Sequence, residues 1–166
     1  GALAPKGMMY YPLSVPNEID FKRLIPQAIK LTTRINGKRN PIPIAGVNGM
    51  RRVARRIEGL TEMEPRYANL FLGHIVRMQE EIGTGGAGFR FMYASFLRET
   101  ANAIDSDLLA EAAEMLAEAG DQWRMFALKS SKMCKGRRPM NGDELAEQLT
   151  VCAEREAATW QLLRQF

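Results

Sequence analysis

A chain of 166 residues, 46% hydrophobic and 25% charged, has room for one domain with its own core and too little for two. No run approaches the roughly 18 to 20 apolar residues that span a bilayer, and two isolated cysteines with a single histidine cannot close a four-ligand zinc site without carboxylates. The net charge of +4 is uneven: residues Gly1 to Ile57 carry 11 Lys and Arg against 2 acidic residues, and Glu58 to Phe166 carry 12 against 17, so a +9 part is joined to a −5 part.

Met8 to Val15 is short, aromatic and broken by Pro12, the pattern of an extended arm or edge strand. Asn17 or Asp20 can cap a first helix to about Ile35, with Phe21, Leu24, Ile25, Ala28, Ile29 and Leu31 on its apolar side and Pro26 near its start. A basic, proline-bearing loop follows at Asn36 to Pro43. Gly46 to about Leu60 reads as a second helix, turning Met50, Val53, Ala54 and Ile57 inward and Arg51, Arg52, Arg55 and Arg56 outward. Glu64 before Pro65 is a helix-start signal. The third helix then runs to Ile82 with Tyr67, Leu70, Phe71, His74, Ile75 and Met78 inward, which places the only histidine in the core.

Gly83 to Gly88 is a glycine-rich hinge, and Gly88 to Ile104 has the period of a fourth helix, with Phe89, Met92, Tyr93, Phe96, Leu97, Thr100, Ala101 and Ile104 on its stripe. Asp105-Ser106-Asp107 caps a fifth helix to about Lys129, and Lys129 to Pro139 reads as a basic connector. Asn141-Gly142-Asp143-Glu144 has capping-box spacing and opens a last helix bearing Leu145, Leu149, Cys152, Ala153, Trp160 and Leu163. The expected fold is all-α: an irregular bundle of five to six helices spanning 17–166, with an extended arm or short strand at 1–16. Because the chain begins at Gly1 without methionine, it is expected to be a piece of a longer protein, and its two isolated cysteines are expected to be reduced thiols of a cytoplasmic protein.

The hinge admits two readings. Glycines that deliver the chain to a helix start can cradle an anion, making Glu81, Thr84, Gly85, Gly86, Arg90 and Tyr93 a candidate ligand or interface site. The same glycines suit a close helix corner, which an ion pair from Glu81 to Arg90 would fasten. The four arginines of the second helix, with Lys38 and Arg39, suit phosphate backbones, but they lack the interleaved aromatic and amide groups of base readout, so a solvated or docking face is the better expectation than nucleic acid. Neither cysteine has the setting of a nucleophile: Cys152 falls on an apolar stripe, and Cys134 sits in the basic connector, whose charge would lower its pKa. No catalytic residue, metal or cofactor is expected.

Glu81-Ile82-Gly83-Thr84-Gly85-Gly86-Ala87-Gly88-Phe89-Arg90, continuing through Tyr93, Phe96 and Leu97 to Leu109-Ala110-Glu111 and Trp123, resembles the uncharacterised helical domain that follows the N-terminal domain in bacterial proteins similar to butirosin biosynthesis protein H. The resemblance spans about Gly46 to Trp123. It implies a preceding domain of the papain-type cysteine acyltransferase or peptidase kind, which in the butirosin protein moves an acyl group from an acyl carrier protein to an aminoglycoside. No stretch here resembles that catalytic domain. The implied role is a non-catalytic accessory domain whose partners are the cysteine domain and an acyl carrier protein, with no membrane contact and homo-oligomerisation left open. The alternative is a domain that binds a small anion or phosphopantetheine-type ligand at the glycine corner.

Overall fold

The computed structural model describes residues 9, 11–14, 18–37 and 42–166. Among them are six α-helices and no strand: α1 (Phe21–Asn36), α2 (Gly46–Glu58), α3 (Pro65–Glu80), α4 (Arg90–Ile104), α5 (Asp107–Cys134) and α6 (Gly142–Leu162). The all-α expectation holds. Most of the arm expected at 1–16 lies outside the described residues, as do Lys38 and Arg39.

Local chemistry sets the helix starts. The Asp20 carboxylate accepts from Arg23 N at 3.1 Å, and Pro26 lies inside α1 past its first turn, where its missing N–H leaves the Lys22 carbonyl without its helical partner. Glu64 accepts from the backbone N–H groups of Arg66 and Tyr67, both at 2.9 Å, ahead of Pro65 at the first helical position. Asn141 accepts from Glu144 N at 3.0 Å, but the expected capping box is only half formed, because the Glu144 carboxylate turns to Arg138 at 3.0 Å and Lys129 at 3.5 Å. Those two cations leave Asn141 to cap alone.

The long helices α5 and α6 form the centre: α4 and α3 pack on α5, and α2 packs on α6. Their shared core holds Leu109, Leu116, Phe126, Leu145, Leu149 and Leu163, all fully buried. Gly120, in the middle of α5, makes room for the Phe91 ring of α4: a Cβ there would stand 2.8 Å from that ring. The connector expected from Lys129 is still helix as far as Cys134, because Ser130 and Met133 continue the buried face.

Two helix faces differ from expectation. On α1 only Ile29 and Thr33 are buried, and Phe21, Leu24 and Leu31 are exposed. On α3 the buried positions are Ala68 and Leu72, with Phe71 and Ile75 partly covered, whereas Tyr67, Leu70, His74 and Met78 are exposed. The apolar arc of α3 is wider than α5 can cover, so the period locates the arc but not the half that is used.

Candidate functional site

The glycine corner is built by reversing the chain between α3 and α4. Gly83, Gly85, Gly86 and Gly88 all have positive φ, and so do Ala87 and Phe89, at 48° and 70°. Two non-glycine residues in the left-handed region are backbone strain held in place by surrounding bonds. Thr84 is buried and donates its hydroxyl to Gln79 O at 2.7 Å, closing an orphan carbonyl at the end of α3. Glu80 Oε1 accepts from Ala87 N at 3.1 Å. At Gly88, where φ is +56°, a Cβ would displace the ends of the Gln79 and Arg90 side chains and so disturb the bonds they make.

Arg90 is the group on which these bonds converge. Its Nε and Nη2 both reach Glu156 Oε1 at 2.8 Å, and its Nη1 donates to Gln79 Oε1 at 3.1 Å, Gly88 O at 3.1 Å and Ala87 O at 3.3 Å. The guanidinium carbon stands 4.6 Å from the centroid of the Trp123 ring, a cation–π stack. Glu156 is almost fully buried and also accepts from the indole N–H groups of Trp123 at 2.7 Å and Trp160 at 3.4 Å. One ion pair thus joins the end of α3, the corner, α4, α5 and α6. The expected Glu81 to Arg90 pair does not form. Glu81 is exposed and lies 3.8 Å from Arg77 on its own helix, because the chain turns Arg90 inward toward the deeper carboxylate.

Cavities flank the guanidinium. One, of about 270 Å³, is bounded by Thr32 and Asn36 of α1 together with Gly88, Tyr93, Glu156 and Trp160. The other, of about 310 Å³, is bounded by Met50, His74, Gln79, Trp123 and Leu149, and Arg90 lines both. Tyr93 packs on Trp160 and Phe96 at ring-centroid distances of 5.8 and 5.5 Å. Its hydroxyl is buried without a well-formed hydrogen bond; burial raises its pKa, and the nearby Thr32 hydroxyl pulls the other way.

The candidate residues therefore separate. Thr84, Gly86, Arg90 and Tyr93 are drawn into the corner and its cavity, while Gly85 and Glu81 stay at the surface. Arg52, Arg55 and Arg56 are exposed and Arg51 is half-buried, and none has an ion-pair partner among the described residues. Burial pushes the Cys152 thiol up to about 12, the neighbouring Glu156 charge adds to it, and Arg90 partly offsets it. Cys134 was expected to be lowered by the connector's charge; burial instead raises it, at the end of a helix, where its thiol lies 3.8 Å from Asn69 O. His74 is exposed, contrary to a core placement. No group of three or more His, Cys, Asp or Glu residues able to hold a metal occurs among the described residues, and no described helix is long and apolar enough to cross a membrane.

Glu156, the partner that completes the site, was not singled out by sequence reasoning. Its signal was present: it lies four residues after Cys152 and four before Trp160, so a carboxylate occupies the apolar stripe of α6. A charge on such a stripe implies a buried partner.

Residues 1–163 match the family described as Domain of unknown function (DUF4872), and the chain belongs to that family. Neither the curated proteins nor the solved structures contain a match.

Proposed function

We propose that this DUF4872 member is a non-catalytic accessory domain of a butirosin-H-like protein, docked against a papain-type cysteine acyltransferase or peptidase-like domain, with an acyl carrier protein as a further partner. The observation that carries this reading is the state of the two thiols. Nucleophilic cysteines are partly exposed and held as thiolates by a neighbouring base or cation. Here Cys152 is buried with its pKa raised, Cys134 is raised as well, and the only histidine, His74, is exposed at the rim of the cavity beside Arg90, with neither thiol among the residues that line it. The docking half of the proposal draws on the exposed apolar side chains that α3, the corner and α4 carry, Tyr67, Leu70, Met78, Ile82, Phe89 and Met92, between 46% and 64% exposed. The sequence resemblance supplies the occupant.

The test is a turnover assay of the isolated chain with thioester and amide substrates. The expected result is no cysteine-dependent turnover; activity abolished by Cys134→Ser or Cys152→Ser would overturn the proposal. Docking is tested separately: Leu70→Asp should weaken association with the cysteine domain supplied in trans, and an unchanged affinity would remove α3 from the interface.

A second reading, a small anion or phosphopantetheine-type ligand at the corner, is favoured by the 270 Å³ cavity beside Arg90. Such an anion must compete with Glu156 for a guanidinium whose fork is already occupied. Saturable binding of phosphate or pantetheine that is lost in Arg90→Ala, under conditions where circular dichroism shows the variant folded, would establish it.

A further inference from the structure

α2 packs on α6 and α3 packs on α5, but α2 and α3 make no packed interface with each other. Between them lies a trough of about 310 Å³, the second of the two cavities that Arg90 borders. Its walls are Met50 and Val53 on α2 and Ile75 and Met78 on α3, an apolar pair three residues apart on each helix. Val53 and Ile75 are half-buried and Met78 is exposed. Helices that present such faces to each other normally close to about 8 to 10 Å between axes and bury them. Here the faces stay apart, each helix held by a different partner. An apolar space with a few polar groups on its wall is the usual form of a small-molecule site.

Two polar groups on the wall define what the trough can recognise. Arg90 is a donor with no acceptor atom, so the Gln79 side chain turns its oxygen to the guanidinium, at 3.1 Å, and its amide NH2 away from it. No described residue accepts from that NH2, and Gln79 borders this trough but not the cavity beside Thr32. Arg90 itself brings no uncompensated charge: Glu156 lies 2.8 Å away, and Nη1 is shared among Gln79 and two backbone carbonyls. The trough therefore offers an amide donor to an acceptor and nothing to draw in an anion.

We propose that this trough binds a small neutral molecule with an apolar, ring-sized body and a single carbonyl oxygen. The body lies between Met50 and Val53 on one side and Ile75 and Met78 on the other, where two thioethers favour an aromatic ring, and the carbonyl accepts from the Gln79 amide. A volume of about 310 Å³ is at the lower limit of ligand pockets, which fits one ring with a short substituent and not a nucleotide or a long chain. The site does not rest on the accessory-domain reading, and unlike the anion reading it needs no charge from Arg90.

Titration of the whole isotope-labelled chain with acetophenone, followed by NMR, tests it, with ethylbenzene as the control lacking the acceptor and benzoate as the control bearing a charge. The expected result is saturable one-to-one binding of acetophenone, with the Gln79 side-chain NH2 signals shifting along the same curve. Acetophenone should bind about threefold to tenfold tighter than ethylbenzene, the ratio that a neutral hydrogen bond supplies, and benzoate no tighter than acetophenone. Gln79→Met keeps the reach of the side chain and should bring acetophenone down to the affinity of ethylbenzene. Val53→Trp fills the trough from α2 and should remove both, with circular dichroism showing each variant folded. Absence of saturable acetophenone binding below its solubility limit, equal affinity for ethylbenzene, tighter binding of benzoate, or unchanged binding in a folded Val53→Trp each overturns the proposal.

Discussion

Removing Arg90 while leaving Glu156 in place should be among the most damaging single changes in this chain. In Arg90→Met the stem of the side chain is kept, but the Glu156 carboxylate loses two contacts at 2.8 Å and remains buried with only two indole N–H donors at 2.7 and 3.4 Å. Breaking a buried pair this way costs about 3 to 5 kcal/mol, because a charge is left uncompensated. Against a typical total of about 5 to 15 kcal/mol that is a large fraction, and for a chain of this length it corresponds to a fall in Tm of roughly 10 °C. The two halves of the pair are not equivalent: the Glu156 side chain is 3% exposed and that of Arg90 18%, so water can reach the arginine when it is the one left alone. Glu156→Gln should therefore cost less than Arg90→Met. Adding Glu156→Gln to Arg90→Met should recover about 2 kcal/mol, since a neutral amide still accepts from the indoles and no longer buries a charge. Urea unfolding followed by the fluorescence of Trp123 and Trp160 reads all three variants. If Arg90→Met costs less than about 1 kcal/mol, or if the second substitution adds to the loss instead of relieving it, the network is not what holds the corner.

Gly88→Ala should destabilise by about 2 kcal/mol or more, because strain at φ +56° is joined by collision with Gln79 and Arg90, whereas Gly83→Ala, at φ +64° in open space, should cost only about 1 kcal/mol; thermal melts of both variants check the difference. The Cys152 thiol, raised from 9.0 to about 12, keeps its proton in the folded state after the unfolded chain has begun to lose it, so its contribution to stability should fall between pH 9 and 12 by about 1.4 kcal/mol per pH unit. Cys152→Ala should remove that slope from the pH dependence of the unfolding free energy, and a slope identical to that of the parent would refute the assignment. Asn141→Ala should cost about 1 kcal/mol in urea unfolding, because Glu144 is engaged with Arg138 and Lys129 and does not share the capping.

Much of the fold was legible because the relevant signals are local. Asp20, Glu64, Ser106 and Asn141 mark helix starts through side-chain acceptors only a few residues from the donors they satisfy, and each cap is present. The stripe of α6 was read correctly because that helix is packed between α2 and α5, so Leu145, Leu149, Cys152, Ala153, Trp160 and Leu163 are all buried. On α1 and α3 the same reading placed Phe21, Leu24, Tyr67 and Leu70 inside when they are exposed. Those helices lie at the margin, where the arc exceeds what one neighbour covers, and periodicity carries no information about what the neighbour is.

The glycine corner shows the complementary limit. Its glycines announce positive φ, and the structure has it at all four, but the residue that gives the corner its purpose is 66 positions from Arg90. Nearness in sequence made Glu81 the obvious partner. Burial favours Glu156 instead: an exposed Glu81 pair would contribute at most about 1 kcal/mol, whereas an Arg90 turned inward neutralises a carboxylate whose isolated burial would cost several. The strain at Ala87 and Phe89 follows from that choice, since the chain must coil tightly for the Ala87 and Gly88 carbonyls to accept from the guanidinium that Glu156 holds in place. The pattern Gly-Thr-Gly-Gly is then a consequence of an inward arginine, and any ligand at the corner is recognised through a charge that the fold has already paired.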